Sequence, residues 1–174
     1  KLEQLYRDLH AGDQWQLRSL LVFKNNKLVA ETYFKDEADI ATKRAIWSAT
    51  KQTLGLITGV AVDQGVIGSV KDPLSAYLPT ATTRYPDKAS ITIEQLLTMR
   101  SGIGYSNDGA SGQTSKMLRK IPDNSVDFIL ELPMKFTPDT DFDYHDGNPH
   151  LISACMQERT GQPLDQWADT ALFS

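Results

Sequence analysis

The chain has 174 residues, of which 40% are hydrophobic and 23% are charged, and its net charge is −4. This composition suits one globular domain, or part of one, and excludes a disordered protein. The acidic balance argues against nucleic acid as a partner, because neutralising phosphates requires a clustered excess of lysine and arginine. No apolar run approaches the roughly 18 residues that span a bilayer, so no membrane span is expected. The compartment stays open.

The N-terminal residues predict a short amphipathic helix and then a β-hairpin. Leu2 to His10 carries apolar side chains at helical spacing. Two β-rich runs between Ser19 and Phe34 flank Asn25 and Asn26, and asparagine tolerates the positive φ of a tight turn.

Ala49 to Gln64 predicts a longer helix that is buried on nearly all sides. The stretch is dense in apolar residues and has little polar face. Gly55 and Gly59 would weaken an exposed helix, so we interpret them as sites of close backbone packing. Trp47 is interpreted as a core residue that anchors the turn before this helix.

The rest of the chain predicts short helices separated by proline and glycine. Pro79 and Pro86 predict that Ser75 to Ala89 is mostly irregular. The other signals are a capping box at Thr92 and Gln95, a Gly- and Ser-rich loop from Ser106 to Ser115, a helix from Ser125 to Leu132, a helix framed by Asn148, Pro149 and Gly161, and a last helix from Pro163.

This inventory predicts the α/β fold class, of the α+β type. A two-stranded hairpin is marginally stable by itself, and no later run of this chain predicts another strand. We therefore expect residues 1–73 to form the N-terminal part of a sheet domain and residues 74–174 to form a mostly helical region. The partner strands would come from a missing C-terminal segment or from a companion chain.

Ser48-Ala49-Thr50-Lys51 places a serine and a lysine one helical turn apart, the S-x-x-K pattern of serine nucleophiles. The pattern alone is weak, because Ser48 could be only a helix cap and Lys51 a solvated residue of the first turn. A catalytic role is favoured by the position of Lys51 at the start of an otherwise apolar helix. Partial burial would lower its pKa and let it accept the serine proton.

Further stretches make a family resemblance specific. The segments are Ile46 to Lys51 with Leu56 to Gly65, Asp72-Pro73-Leu74-Ser75-Ala76-Tyr77-Leu78-Pro79, Ile91 to Gly102, and Phe142-Asp143-Tyr144-His145-Asp146-Gly147-Asn148. Together and in this order they resemble the serine β-lactamase and penicillin-binding protein superfamily. Within it, the likeness is to class C-like serine hydrolases, including 6-aminohexanoate-dimer hydrolases and esterases.

The resemblance implies that Ser48 attacks a carbonyl carbon to form an acyl-enzyme, while Lys51 and Tyr144 share the proton transfer. Tyr144 heads the family's Y-x-N motif, and a phenol beside an ammonium gives up its proton more readily. Asp146 stands where the superfamily most often has asparagine, which puts β-lactam recognition in doubt. By the same resemblance Tyr105 would line the substrate pocket, and the alternative is a tyrosine on a surface loop. No cofactor is implied, and the three histidines lack the spacing of a metal site.

No strand of this chain carries the family's third motif, a Lys-Thr-Gly or His-x-Gly segment that supplies an oxyanion donor. We therefore expect a hydrolase of a small ester or linear amide that is inactive without the missing half. The alternatives are a penicillin-binding sensor, a D-Ala-D-Ala carboxypeptidase-like protein or β-lactamase, and a non-catalytic scaffold.

Overall fold

The computed structural model describes residues 1–12, 17–105 and 125–173. It contains both helices and strands, as the sequence predicts. The chain forms two compact units, an N-terminal unit of residues 1–47 and a larger unit of residues 48–174. The predicted division after residue 73 stays a prediction, and the loop predicted from Ser106 to Ser115 lies outside the described residues.

The N-terminal unit contains the predicted helix and hairpin. Helix α1 spans Leu2–Ala11, and strands β1 (Ser19–Lys24) and β2 (Lys27–Tyr33) pair antiparallel. Asn25 and Asn26 form the turn with φ angles of 51° and 58°, in the left-handed region that asparagine tolerates. Both predictions are confirmed. Within the described residues the hairpin is the only sheet.

The larger unit is mostly helical. Its helices in the described residues are α2 (Thr50–Asp63), α3 (Pro79–Arg84), α4 (Ile93–Leu97), α5 (Ser125–Glu131), α6 (Gly147–Thr160) and α7 (Leu164–Ala168). A 3₁₀ turn at Trp47–Ala49 leads into α2. The side chains buried most deeply in the core include Ile67, Leu74, Ile91, Leu96, Ile129, Leu130, Leu151 and Ile152. None of the described helices is long and apolar enough to cross a membrane.

Two helix boundaries follow the sequence signals closely. The Thr92 hydroxyl accepts from the Gln95 N–H, and the Gln95 side chain accepts from the Thr92 N–H. These two bonds complete the predicted capping box at the start of α4. Helix α6 ends at Gly161, whose φ of 70° is the left-handed conformation that glycine adopts without steric cost.

Two expectations that were based on proline need correction. Helix α3 lies inside the segment Ser75 to Ala89 that was predicted to be mostly irregular. Pro79 is its first residue, where the missing N–H would have no intrahelical partner anyway. Helix α6 begins at Gly147, so Asn148 and Pro149 lie inside its first turn rather than framing its start.

The prediction that α2 is buried on nearly all sides is wrong for the described residues. Its buried side chains are Leu54, Ile57, Thr58 and Ala61. They recur every three or four residues, so only one face of the helix meets the core. Leu56 is 67% exposed, and a Cβ at Gly55 or Gly59 would meet no heavy atom within 4 Å. Trp47, interpreted as a core residue, is 79% exposed.

A buried hydroxyl network closes the turn between α2 and α3. The Tyr77 hydroxyl donates to Asp72 Oδ2 at 2.6 Å and accepts from the Gly68 N–H at 2.9 Å. The Ser69 N–H donates to the same carboxylate oxygen at 3.0 Å. Burial, and then the bond to Asp72, raise the pKa of Tyr77, so the hydroxyl stays protonated and continues to donate.

Replacing Tyr77 by phenylalanine is expected to lower the free energy of unfolding by about 1–3 kcal/mol, because the buried Tyr77 side chain loses its bonds to the Asp72 carboxylate and the Gly68 N–H. Urea denaturation followed by circular dichroism measures this difference. The matched control is Tyr33→Phe, whose hydroxyl bonds Glu31 in an exposed position and whose expected effect is below about 0.5 kcal/mol. Equal stabilities of Tyr77→Phe and the unmodified protein would contradict the structural role of the network.

Candidate active site

Ser48 lies in the 3₁₀ turn immediately before α2, and its Oγ atom receives two hydrogen bonds. The Tyr144 hydroxyl donates to it at 2.6 Å, and Lys51 Nζ donates to it at 3.3 Å. The alternative that Ser48 is only a helix cap is wrong, because Ala49 occupies the cap position and α2 has no side-chain cap bond. Ser48 is therefore held by the two residues that the resemblance pairs with it.

Lys51 is the second residue of α2, and its side chain is 17% exposed. Its ammonium group donates to Asp146 Oδ1 at 2.7 Å and lies 4.7 Å from the centre of the Tyr144 ring. Burial opposes the charge on Lys51, but the bonds to Asp146 and Tyr144 outweigh burial and raise the pKa of Lys51. The expectation of a lowered pKa is wrong, because it was based on burial alone and the two bonds outweigh burial. The Lys51 side chain is therefore a protonated ammonium group at neutral pH, fixed by its hydrogen bonds.

Tyr144 and Asp146 come from the segment that enters α6, almost 100 residues after Ser48. This segment is tied to the end of α4, because the Asp143 N–H donates to the Met99 carbonyl at 2.9 Å. The Asp143 carboxylate also pairs with Lys135 at 3.0 Å. These two contacts hold the backbone immediately before Tyr144. The site is therefore assembled from the start of α2 and the start of α6.

The first turn of α6 adds a second tie to the same region. Asn148 is fully buried; its side-chain oxygen accepts from the Ser101 hydroxyl at 2.9 Å. Its side-chain nitrogen Nδ2 donates a hydrogen bond to the sulfur of Met99 at 3.7 Å. From sequence, Asn148 was interpreted only as a helix cap. Its spacing to Ser101 carries no signal in the sequence, so pattern reasoning missed this link.

A cavity of about 540 Å³ opens beside Ser48. Its lining residues are Ser48, Lys51, Gln52, Gly55, Leu97, Thr98, Met99, Phe142 and Tyr144. Tyr105, expected to line the substrate pocket, does not belong to this lining. It is 7% exposed, and its ring lies 4.1 Å from the ring of His145, centre to centre.

The single cysteine of the chain is a poor candidate nucleophile. Cys155 lies in α6 and is fully buried, and burial raises the pKa of its thiol to about 12. A thiol in that environment stays protonated and does not react as a thiolate. Among residues 1–12, 17–105 and 125–173, no three His, Cys, Asp or Glu side chains are grouped to hold a metal ion.

Comparison with known families identifies one match along almost the whole chain. A family model described as Beta-lactamase matches residues 3–174. Among curated proteins, "Putative penicillin-binding protein PbpX" of Bacillus subtilis (strain 168) is 30% identical over 102 residues. Those residues are 59% of this chain and 23% of that protein.

Two solved structures have a similar fold. The "Putative 6-aminohexanoate-dimer hydrolase from Bacillus anthracis" has a TM-score of 0.73 at 18% identity over 99% of this chain. The penicillin binding protein from Bacillus halodurans has a TM-score of 0.66 at 21% identity over 97% of this chain. This chain spans about half of those two proteins, 46% and 53% of their lengths.

Proposed function

The chain belongs to the beta-lactamase family, and from this premise we propose that it carries the nucleophile of a serine hydrolase. The proposed reaction transfers an acyl group from a small ester or linear amide to water through an acyl-Ser48 intermediate. Ser48 is the proposed nucleophile, Tyr144 the proposed base and Lys51 the proposed electrostatic partner of both.

The observation that supports this proposal is the pair of hydrogen bonds on Ser48 Oγ. A serine with a merely structural role needs neither a phenol at 2.6 Å nor an ammonium at 3.3 Å. A nucleophile needs both, because its proton must leave and the resulting negative charge must be stabilised. The position of Ser48 at the N-terminal end of the 14-residue helix α2 favours negative charge further.

The raised pKa of Lys51 supports Tyr144 as the group that transfers the proton. The Tyr144 oxygen accepts the Ser48 proton across their 2.6 Å contact as the Tyr144 hydroxyl proton passes to solvent and Oγ forms its bond to the carbonyl carbon. The Tyr144 hydroxyl then gives the proton to the departing alcohol or amine as the bond to the leaving group breaks. In the second half, Tyr144 takes a proton from the water that attacks acyl-Ser48 and returns it to Oγ as the acid leaves, and Tyr144 regains its own proton from solvent. The Lys51 ammonium stabilises the negative oxygens in each step.

Asp146 supports an ester or linear amide as the substrate rather than a β-lactam. Its carboxylate is 38% exposed and can only accept hydrogen bonds, whereas an asparagine would also donate to a substrate amide. The name of the Bacillus anthracis neighbour, a 6-aminohexanoate-dimer hydrolase, describes a linear amide substrate for that protein and agrees with this assignment.

We propose that activity also requires the part of the domain that the longer neighbours have. The expected contribution is a strand with the third motif, from a C-terminal segment or a companion chain. Loss of one oxyanion donor lowers a rate by about 100- to 1000-fold, so residues 1–174 alone are expected to react slowly.

A second candidate is a penicillin-binding sensor, which is acylated once and does not turn over. The names of the Bacillus subtilis and Bacillus halodurans proteins favour it. The two candidates share the acylation of Ser48 and differ in the hydrolysis of the acyl-enzyme. A third candidate, a non-catalytic scaffold, does not react at all.

Turnover separates these functions. The protein at its full natural length is mixed with p-nitrophenyl butyrate, with a 6-aminohexanoate dimer and with benzylpenicillin, and intact mass is recorded with product release. We expect turnover of the ester or the amide, and a rate with benzylpenicillin lower by about 100-fold or more, because Asp146 lacks the hydrogen-bond donor that an asparagine would offer to the β-lactam substrate.

The other outcomes have distinct meanings. A stable penicilloyl adduct without product release would replace the hydrolase with the sensor. If none of the three compounds gives an adduct or a product, the non-catalytic scaffold is the remaining candidate function. Residues 1–174 are measured in parallel, and turnover equal to that of the full-length protein would contradict the proposed need for further strands.

A further inference from the structure

His145 lies between the two site residues Tyr144 and Asp146, yet its ring is fully buried. The ring lies against the ring of Tyr105, with 4.1 Å between centres and 32° between planes. On another side it meets the backbone of Gly147, where a Cβ would lie 2.5 Å from the ring carbon Cε1. The glycine at position 147 is therefore required by the histidine, and the ring has a defined place in the structure.

One ring nitrogen of His145 is bonded to the start of α6. The Asn148 N–H donates to Nδ1 at 3.1 Å, which requires Nδ1 to carry no proton. A neutral ring in this place therefore has its proton on Nε2, and Nε2 is buried with no hydrogen-bond partner among the described residues. A second proton, on Nδ1, would oppose the Asn148 N–H with another donor and would break the bond.

The burial of two adjacent side chains connects this bond to the site. His145 is fully buried, whereas Tyr144 is 40% exposed and its hydroxyl reaches Ser48 Oγ at 2.6 Å. Anchoring the buried ring of His145 therefore fixes the backbone from which Tyr144 reaches Ser48. The bond to Asn148 also ties the ring to the residue that bonds Ser101.

We propose that His145 is a positioning residue of this hydrolase: as a neutral ring with Nδ1 unprotonated, it holds the turn that presents Tyr144 and Asp146 to Ser48 and Lys51. This inference rests on the proposed function. His145 does not touch the reacting atoms; it acts through the backbone of Tyr144 and through Asn148.

The surroundings of the ring keep it neutral. Burial lowers the pKa of His145 to about 4, and the carboxylates of Asp143 and Asp146 act in the opposite direction. Among the described residues, the ring lies against the uncharged ring of Tyr105 and bonds the backbone N–H of Asn148. Folded protein is expected to keep the ring neutral at neutral pH and to lose the correct turn as the pH falls through about 4.

The test compares two amide variants in the full-length protein. In His145→Asn the side-chain oxygen occupies the Nδ1 position and still accepts from Asn148, whereas in His145→Gln the longer side chain carries its amide past that position. The rate constant for labelling by a fluorophosphonate is measured from pH 3.5 to 8, with the unfolding midpoint of each variant. At pH 7 we expect His145→Asn to react within about 3-fold of the unmodified protein, and His145→Gln to react about 100-fold more slowly, the loss typical of a misplaced catalytic group.

Two results would overturn the positioning role. Equal labelling rates for the two variants would show that the Nδ1 bond does not matter. A decline toward pH 4 that is identical in the unmodified protein and His145→Asn would show that His145 does not titrate in that decline. Failure of the unmodified protein to label at any pH would instead contradict the proposed function.

A spectroscopic measurement on the unmodified protein tests the same inference without any variant. Long-range ¹H–¹⁵N correlation spectra of ¹⁵N-histidine protein report which ring nitrogen carries the proton. We expect one histidine with Nδ1 unprotonated that stays neutral as the pH is lowered to about 5. If every histidine becomes charged above pH 6, or if none has this tautomer, the inference is wrong.

Discussion

Replacing Ser48 by alanine is expected to abolish the covalent adduct that a fluorophosphonate forms with the full-length protein. The reagent forms its bond to a nucleophilic oxygen, and Ser48 Oγ is the one that both Tyr144 and Lys51 contact. Loss of a serine nucleophile lowers activity on the order of 10⁶-fold. The turn at Trp47–Ala49 needs no serine side chain as a helix cap, so the variant is expected to fold.

Intact-mass spectrometry before and after the reagent measures this result. The unmodified protein should gain the mass of one adduct, and Ser48→Ala should gain none. Ser75→Ala, which removes a hydroxyl outside the cavity, is the matched control and should label as the unmodified protein does. An adduct that persists in Ser48→Ala would assign the nucleophile to another residue and would refute the mechanism.

Replacing Tyr144 by phenylalanine is expected to lower the labelling rate constant by about 100- to 10,000-fold, the range for removal of a general base. The expectation depends on the charge state of Lys51. Its pKa is raised by its partners, so at pH 7 it holds its proton and cannot take the one from Ser48. The remaining group within hydrogen-bond distance of Oγ in the described residues is the Tyr144 hydroxyl.

The stability of Tyr144→Phe should change little, since the side chain of Tyr144 is on the exposed side of the turn and the pair Lys51–Asp146 remains. Stopped-flow or quenched labelling, with circular dichroism as the folding control, measures the rate. Tyr85→Phe makes the same chemical change outside the cavity and should retain the full rate. An unchanged rate in Tyr144→Phe would return the role of base to Lys51 or to water.

Local signals in the sequence predicted much of the fold. The asparagine turn, the capping box at Thr92 and the glycine after α6 each depend on residues within a few positions of one another, and each was confirmed. The burial of α2 was not predictable in this way. Its apolar composition does not tell which side of the helix meets the core, and Leu56 remains exposed.

The candidate site was likewise predictable only where local motifs carry the information. Ser48, Lys51 and Tyr144 were named from short motifs and from a family resemblance. The raised pKa of Lys51 depends on the balance between burial and its bond to Asp146, 95 positions away, and no local pattern predicts that balance. The bonds of Asn148 to Ser101 and His145 carry no signal in the sequence, because they depend on how these residues are buried.

The separation of the site residues along the chain has a consequence for folding. Ser48 and Tyr144 are 96 positions apart, and contacts of such long range form late, because the chain must first lose the entropy of closing a large loop. Before that closure, neither Tyr144 nor Asp146 lies near Ser48. A newly synthesised or refolding chain is thus unreactive until α6 docks. The appearance of reactivity toward a fluorophosphonate would then report, in time, the last step of folding rather than the first collapse.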